Sequence, residues 1–115
     1  MGLEKNDEWA LRKILDKIET LEEIGETPLE DFLNDRIKQL ASAMAFLNIG
    51  ELASKHLSRQ FIKSEPSLPY HEMRGMRNTA AHEYDALRFD KIWYTIKRDV
   101  PELKNEIQKI LEKNV

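Results

Sequence analysis

Residues 9–24 read WALRKILDKIETLEEI, and this stretch decides the fold class. Its apolar residues recur at steps of three and four, which is the period of one buried stripe along an α-helix. Glu19, Glu22 and Glu23 fall between them, so the opposite face of the helix is polar. The stretch therefore predicts a first amphipathic helix, which Gly25 can end.

A second helix is predicted to start at Thr27. The sequence Thr27-Pro28-Leu29-Glu30 resembles a capping box, with Thr27 as N-cap, Pro28 at the first helical position and Glu30 reaching back. Gly50 interrupts the apolar stripe that follows, at a cost of about 1 kcal/mol relative to Ala in a helix interior. We expect one long or kinked helix that buries this stripe, which consists of Phe32, Leu33, Ile37, Leu40, Met44, Leu47, Leu52 and Phe61.

Pro66 and Pro69 mark the clearest break in the chain, because each proline pushes its predecessor out of the α region. Pro69 is expected to open a third helix, and Asp90 and Asp99 are candidate N-caps of two more. No strand pattern competes with these helices. The expected fold is therefore all-α, an antiparallel four- to five-helix bundle that forms a single domain over residues 1–115.

The composition excludes several classes of protein. The 115 residues include no cysteine, which removes disulfide scaffolds, thiol nucleophiles and cysteine zinc sites. No apolar run approaches the roughly 20 residues of a membrane span, so we expect a cytoplasmic protein without a membrane segment. The net charge is −3, yet residues 55–115 carry 12 basic and 9 acidic residues, against 6 and 12 in residues 1–54. This asymmetry leaves room for a local phosphate-binding site in the second half, although ordinary solvated helix faces explain most of these charges.

The run Arg77-Asn78-Thr79-Ala80-Ala81-His82-Glu83-Tyr84 concentrates a permanent cation, an amide, an imidazole and a phenol. On an ideal helix Arg77 and His82 lie about 140° apart, so one straight helix cannot easily aim both at the same atom. Either the helix unwinds near His82, or a symmetric partner chain supplies the second half of the site. We favour a homodimer, because the small pair Ala80-Ala81 would let two such helices approach closely.

Two copies of His82 in one cleft could cleave RNA without a metal ion or a cofactor. One imidazole would accept the proton of a ribose 2′-hydroxyl, and the other would protonate the departing 5′-oxygen. Arg77 would stabilise the phosphorane and Asn78 would orient His82 or the phosphate. Arg74 and Arg88 are further candidates for substrate binding.

A structural interpretation of the same residues remains open. His82 could be a favourable partner of the carbonyls at a helix C-terminus, and Arg77 could form an ion pair with Glu72 or Glu83. Trp9 and Trp93 are interpreted as core or interface anchors, and His56 and His71 as surface or boundary residues.

Several segments together resemble the HEPN superfamily, specifically its HepT-like toxin branch, whose hallmark is Arg, a polar residue, a short spacer, His, one residue and Tyr. The matching segments are Asn48-Ile49-Gly50-Glu51, Gly75-Met76-Arg77-Asn78, Ala81-His82-Glu83-Tyr84, Phe89-Asp90-Lys91-Ile92-Trp93 and Asp99-Val100-Pro101-Glu102-Leu103. The resemblance spans residues 30–111. Tyr70, Thr79-Ala80 and Glu83 depart from the usual pattern, and Glu83 adds negative charge beside His82.

The resemblance implies a helical bundle that dimerises around the motif and acts as a metal-independent endoribonuclease. It also implies a partner, an MNT-type nucleotidyltransferase antitoxin that neutralises the toxin by transferring nucleotide monophosphate to Tyr84. Arg77 and His82 would be catalytic and Asn78 supporting. An alternative is a non-catalytic HEPN module that binds nucleotides or regulates a nucleotidyltransferase, and a third is a motif helix that serves only as a dimer seam.

Overall fold

The structure is a computed structural model that describes residues 2–82 and 87–114, except the side chains of Thr79 and His82. Over these ranges the chain forms six helices and no strand. The helices are α1 Lys5–Gly25, α2 Leu29–Phe32, α3 Arg36–Lys55, α4 Arg59–Ser64, α5 Tyr70–His82 and α6 Phe89–Lys113. Because α2 and α4 are short connectors, four long helices make up the bundle. The predicted all-α fold is confirmed.

Helix α1 supplies the centre of the core. Leu11, Ile14, Ile18 and Leu21 have no exposed surface, as the three- and four-residue spacing predicts. Burying an aliphatic side chain of this size contributes about 1.5–3 kcal/mol. The helix ends at Gly25, as predicted, and a Cβ atom at that position would lie 2.8 Å from Cγ2 of Ile96 on α6. A residue without a side chain therefore lets α6 pass close to the end of α1.

The capping box predicted at Thr27 is wrong. Helix α2 is a single turn that begins after Pro28 without a side-chain cap. The hydroxyl of Thr27 instead accepts a hydrogen bond from Nζ of Lys38 at 2.7 Å, and its carbonyl accepts one from Nε1 of Trp93 at 2.9 Å. The long second helix begins at Arg36, where the carboxylate of Asp35 accepts a hydrogen bond from the backbone N–H of Lys38.

The predicted long helix ends at Lys55, and a new cap starts α4. The Ser58 hydroxyl accepts a hydrogen bond from the backbone N–H of Phe61 at 3.0 Å. Asp7, which is 3% exposed, accepts from the N–H of Ser58 at 2.7 Å and from its hydroxyl at 2.8 Å. One buried carboxylate on α1 therefore positions the N-cap of α4.

The two helices predicted after residue 88 form one helix, α6. Asp90 lies in its first turn, Arg88 occupies the N-cap position without a side-chain cap, and Asp99 lies inside the helix rather than at a start. Pro101 also lies inside, where it cannot donate a hydrogen bond to the carbonyl of Lys97. Val100 and Leu103, which flank the proline, are buried, and their burial stabilises the helix at this point.

The side-chain contacts fix the direction of each long helix. At one end of the bundle the start of α1 meets the end of α3, since Nδ2 of Asn6 donates to the carbonyl of His56 at 2.6 Å. At the other end the Phe32 and Phe89 rings pack edge to face, with centroids 6.2 Å apart. Helices α1 and α5 therefore run from the first end to the second, and α3 and α6 run back.

One face of α3 is exposed, although the sequence pattern predicts that it is buried. Ile37 is 76% exposed, Leu40 49% and Met44 57%, and the preceding Leu33 is 42% exposed. The reason is that α3 packs between α1 and α5 with its other two faces. These four residues form the α3 apolar stripe. Within the described ranges, no helix is long and apolar enough to cross a bilayer.

Candidate active site

Arg77 lies against α3 because Gly50 has no side chain. A Cβ atom at Gly50 would overlap Cβ of Arg77 and lie 2.7 Å from the backbone carbonyl oxygen of Met73. The helix-interior glycine, which looks unfavourable in the sequence, therefore allows α5 to approach α3 closely. This approach brings the guanidinium of Arg77 to the next residue of α3, Glu51.

Among the described residues Arg77 pairs with Glu51 and not with Glu72, one of the two partners considered from the sequence; the other, Glu83, lies outside the described residues. The Nη1 atom of Arg77 donates to Oε1 of Glu51 at 2.8 Å, and Nζ of Lys55 lies 3.0 Å from Oε2. The hydrogen bond from Lys55 contributes most to lowering the pKa of the Glu51 carboxyl, and Arg77 lowers it further against the opposing effect of desolvation. The carboxylate is therefore ionised at neutral pH and holds Arg77 in one orientation.

The Arg77 side chain is three-quarters buried, with 25% of its surface exposed. Among the described side-chain atoms, its Nε is a buried donor that has no acceptor. An unsatisfied buried donor costs about 1–3 kcal/mol, so this placement is not the one that stability alone would favour.

The other candidate site residues that the structure describes do not all lie near the Arg77–Glu51 ion pair. Asn78 and Arg74 are exposed on α5, one residue after and three residues before Arg77. Arg88 precedes α6 and makes two hydrogen bonds to Asp90, at 3.2 Å and 3.0 Å. Arg74 and Asn78 therefore share the surface beside Arg77, whereas Arg88 is engaged by its own helix.

The second half of the motif is only partly described. The backbone of α5 is helical through His82, so it does not unwind between Arg77 and His82. The His82 side chain and the whole of Glu83 and Tyr84 lie outside the described residues.

A groove that the sequence did not predict lies between α1 and α3, beside the Arg77–Glu51 pair. It has a volume of about 310 Å³ and is lined by Trp9, Lys13, Lys17, Asn48, Glu51, Leu52 and His56. We call it the α1–α3 groove. Trp9 is 45% exposed and packs edge to face with His56, with ring centroids 5.3 Å apart, so it is not a core anchor. The repeat of Trp9, Lys13 and Lys17 at four-residue steps could have revealed this face of α1.

A second cavity, of about 380 Å³, lies between α5 and α6 and has the opposite charge. Its floor is apolar and includes Phe46, Ile49 and Leu103, while its rim carries Glu72, Asp99, Glu102 and Glu106. A rim of four carboxylates repels phosphate, so this face does not suit nucleic acid. In the described part of the chain, no cluster of three or more histidine and carboxylate side chains is arranged to hold a metal ion.

Comparison with known proteins identifies the family. The family model described as "Ribonuclease HepT-like" matches residues 14–110, which includes α3, α5, the second half of α1 and nearly all of α6. No solved structure matches significantly.

Curated relatives agree with this match. The chain is 38% identical over 101 residues to a Thermococcus cleftensis protein named as a probable ribonuclease HepT, covering 87% of this chain and 91% of that protein. It is 35% identical over 104 residues to a Caldanaerobacter subterraneus protein named as an RNase, covering 90% of this chain and 92% of the relative. It is also 32% identical to a Methanocaldococcus jannaschii protein named as both a gamma-glutamylcyclotransferase and an RNase, where it covers 96% of this chain but 50% of the longer protein. The chain therefore belongs to the HepT-like ribonuclease family.

Proposed function

We propose that this protein is a metal-independent endoribonuclease of a toxin–antitoxin pair, with Arg77 and His82 as catalytic residues and Asn78 as a supporting residue. The observation that carries the proposal is the fixed position of Arg77, which Gly50 and Glu51 hold beside an open, partly cationic surface. Membership in a family of ribonucleases supports the same activity.

The proposed reaction is attack by a ribose 2′-hydroxyl on the adjacent phosphorus atom. One His82 takes the proton of the hydroxyl, a bond forms between the 2′-oxygen and phosphorus, and the bond from phosphorus to the 5′-oxygen breaks. A second His82 donates its proton to the departing 5′-oxygen, which leaves a 2′,3′-cyclic phosphate and a 5′-hydroxyl. Arg77 neutralises the negative charge that develops on the phosphorane oxygens.

A homodimer would supply the two imidazoles. Because the backbone of α5 is helical from Arg77 to His82, the two positions lie about 140° apart around the helix axis, which favours a second chain over a single-chain site. The α3 apolar stripe gives this dimer a contact surface. Helix α5 runs antiparallel to α3 and crosses it where Arg77 meets Gly50. The C-terminal end of α5 therefore points toward the N-terminal half of α3, which carries Ile37, Leu40 and Met44.

Cleavage of RNA in the presence of a chelator tests the proposal. We expect wild-type protein to cleave single-stranded RNA in EDTA and to leave the DNA strand of the same sequence intact, because DNA has no 2′-hydroxyl. His82→Ala should abolish cleavage, whereas His71→Ala, which removes an exposed histidine near the start of the same helix, should not. Equal activity of wild type and His82→Ala at matched helicity would refute the proposal.

A non-catalytic HEPN module is the second candidate, and one observation favours it. The charge of Arg77 is already compensated by Glu51. An ion pair of this kind is also what a purely structural role of Arg77 would require. This candidate predicts that Arg77→Ala reduces the free energy of unfolding while unmodified wild-type protein cleaves no RNA. The two candidates therefore differ in the activity of the wild-type protein.

Neutralisation is proposed to occur by transfer of nucleotide monophosphate from an MNT-type nucleotidyltransferase to Tyr84. An anionic group there would compete with the RNA phosphate for Arg77. Intact mass after co-expression with such a nucleotidyltransferase tests this step. We expect added mass in multiples of a nucleotide monophosphate on wild type and none on Tyr84→Phe; no added mass on wild type, or added mass retained in the variant, would contradict it.

A further inference from the structure

The α1–α3 groove has a composition that suits single-stranded nucleic acid. Trp9 offers an exposed ring, and Lys13 and Lys17 follow on the same face of α1. Lys13 and Lys17 are four residues apart, where like charges on a helix repel each other, so an anion between them would relieve that repulsion. Nζ of Lys13 lies 4.0 Å from the carboxylate of Asp16, and Lys17 forms no ion pair with a residue that the structure describes.

The groove is continuous with the proposed catalytic site through Glu51. This residue lines the groove and also accepts the hydrogen bond from Arg77 of α5. Helices α1 and α3 supply the lining of the groove, and α5 packs on another face of α3. A chain bound with one phosphate at Arg77 could therefore continue along the groove toward Trp9.

We propose that the α1–α3 groove binds the RNA strand next to the scissile phosphate, with a base stacked on Trp9 and backbone phosphates paired with Lys13 and Lys17. The inference rests on the proposed function, because it extends the site that contains Arg77. Stacking on an aromatic ring tolerates any base, so the groove contributes affinity more than sequence preference. The acidic rim of the cavity between α5 and α6 makes that face unsuitable for the same strand.

Binding of a 2′-O-methyl RNA oligonucleotide tests the groove separately from catalysis, because this probe has no free 2′-hydroxyl and cannot be cleaved by the proposed reaction. Affinity is measured by fluorescence anisotropy of the labelled probe. Trp9→Leu keeps an apolar side chain on α1 and should weaken binding about tenfold or more, the size of one lost base stack. Tyr94→Leu is the matched control, because Tyr94 is 46% exposed, packs near Arg98 and lies on α6, outside the groove.

Salt dependence tests the two lysines. The double variant Lys13→Gln/Lys17→Gln should reduce the slope of the logarithm of affinity against the logarithm of salt concentration by about 1.4, since each phosphate contact on a single strand contributes about 0.7. The control pair Lys91→Gln/Lys109→Gln removes exposed lysines of α6 and should leave the slope within error of wild type.

The outcomes separate this proposal from the proposed function. If wild type binds the probe and Trp9→Leu does not, but no RNA is cleaved, the groove stands and the ribonuclease proposal fails. If wild type cleaves RNA while Trp9→Leu and the lysine variant bind like their controls, the groove proposal is overturned and the ribonuclease stands. A shift of Trp9→Leu to a smaller species in sedimentation, with unchanged affinity per chain, would also overturn it, since the groove would then be a subunit contact.

Discussion

The backbone of Gly50 packs directly on the side chain of Arg77, with no room for a Cβ atom between them. Glycine in the middle of a helix costs about 1 kcal/mol relative to alanine, so its presence in α3 requires a compensating contact. That contact is the close approach of α5, which also places Arg77 within hydrogen-bond distance of Glu51. The Gly50-Glu51 pair is therefore the part of α3 that positions the motif arginine.

Gly50→Ala and Gly75→Ala should change stability in opposite directions. At Gly50 the new methyl group would meet backbone and Cβ atoms that cannot move separately, so overpacking should outweigh the gain in helix propensity and destabilise the protein by about 1–2 kcal/mol. At Gly75 no described atom outside the neighbouring turns of α5 lies within 4 Å of the added methyl group, and the substitution should stabilise by about 0.5–1 kcal/mol. Urea denaturation measures both; stabilisation by Gly50→Ala would show that the helices do not approach so closely.

Glu51→Gln should reduce RNA cleavage about 10- to 100-fold, because misplacing a catalytic group by about 1 Å has an effect of this size. Lys55→Gln is the control, since it removes the other partner of Glu51, at 3.0 Å, and leaves the hydrogen bond to Arg77 in place. Initial cleavage rates at saturating RNA give the comparison. Equal losses in the two variants would contradict a specific role for the hydrogen bond from Arg77 to Glu51.

The ion pair of Glu51 also predicts a dependence of stability on pH. The folded pKa of this carboxyl is lowered from its ordinary value of 4.5, so its contribution to stability is fully present above pH 4.5 and is lost as the pH falls through the folded pKa. Wild type should therefore be more stable than Glu51→Gln at pH 7, and the difference should shrink in acid. The difference should also decrease at high salt, because the group is partly exposed. A constant difference from pH 7 to pH 3 would contradict the assignment.

The sequence correctly predicted those parts of the fold in which apolar residues recur at a regular helical spacing. The buried face of α1 and the location of Arg77 on a helix follow from local spacing alone. The exposure of Ile37, Leu40 and Met44 does not, because an apolar stripe has the same spacing whether it faces the core or remains without a partner. The contact of Glu51 with Arg77 joins residues 26 positions apart, and no local pattern indicates such a pair.

Asp7 and Ser58 should be strongly coupled in stability. Asp7→Ala leaves the partly buried N–H of Ser58 without its acceptor and should cost about 1–3 kcal/mol, and Ser58→Ala removes an N-cap worth about 1 kcal/mol. Because the hydroxyl of Ser58 also donates to Asp7, the double variant should lose less than the sum of the single variants. A double-mutant cycle by urea denaturation measures this coupling, and additive losses would contradict a shared network.

The α3 apolar stripe should hold two chains together. Met44→Glu places a charge on a side chain that is 57% exposed, so it should not disrupt the folded chain, but it should prevent an apolar contact between two copies. Sedimentation should then shift from a dimer toward the 13.5 kDa of one chain. Tyr94→Glu, on a side chain that is 46% exposed on α6, should leave the dimer intact. A dimer that resists Met44→Glu would place the contact on another surface.

Tyr70 should make the protein sensitive to alkali. Its hydroxyl donates a hydrogen bond to the carbonyl of Glu65 at 2.6 Å, and burial, assisted by the negative charges of Glu65 and Asp7, raises its pKa from 10.0 to about 12. The neutral phenol is thus favoured in the folded state, so its contribution to stability is fully present below pH 10 and is lost as the pH rises toward 12. Tyr70→Phe, which has no phenol to ionise, should be less stable than wild type at pH 7 but should approach it between pH 10 and 12. Urea denaturation at a series of pH values measures the free energy of unfolding of both proteins. If it changes in parallel with pH for wild type and Tyr70→Phe, Tyr70 titrates equally in the folded and unfolded states.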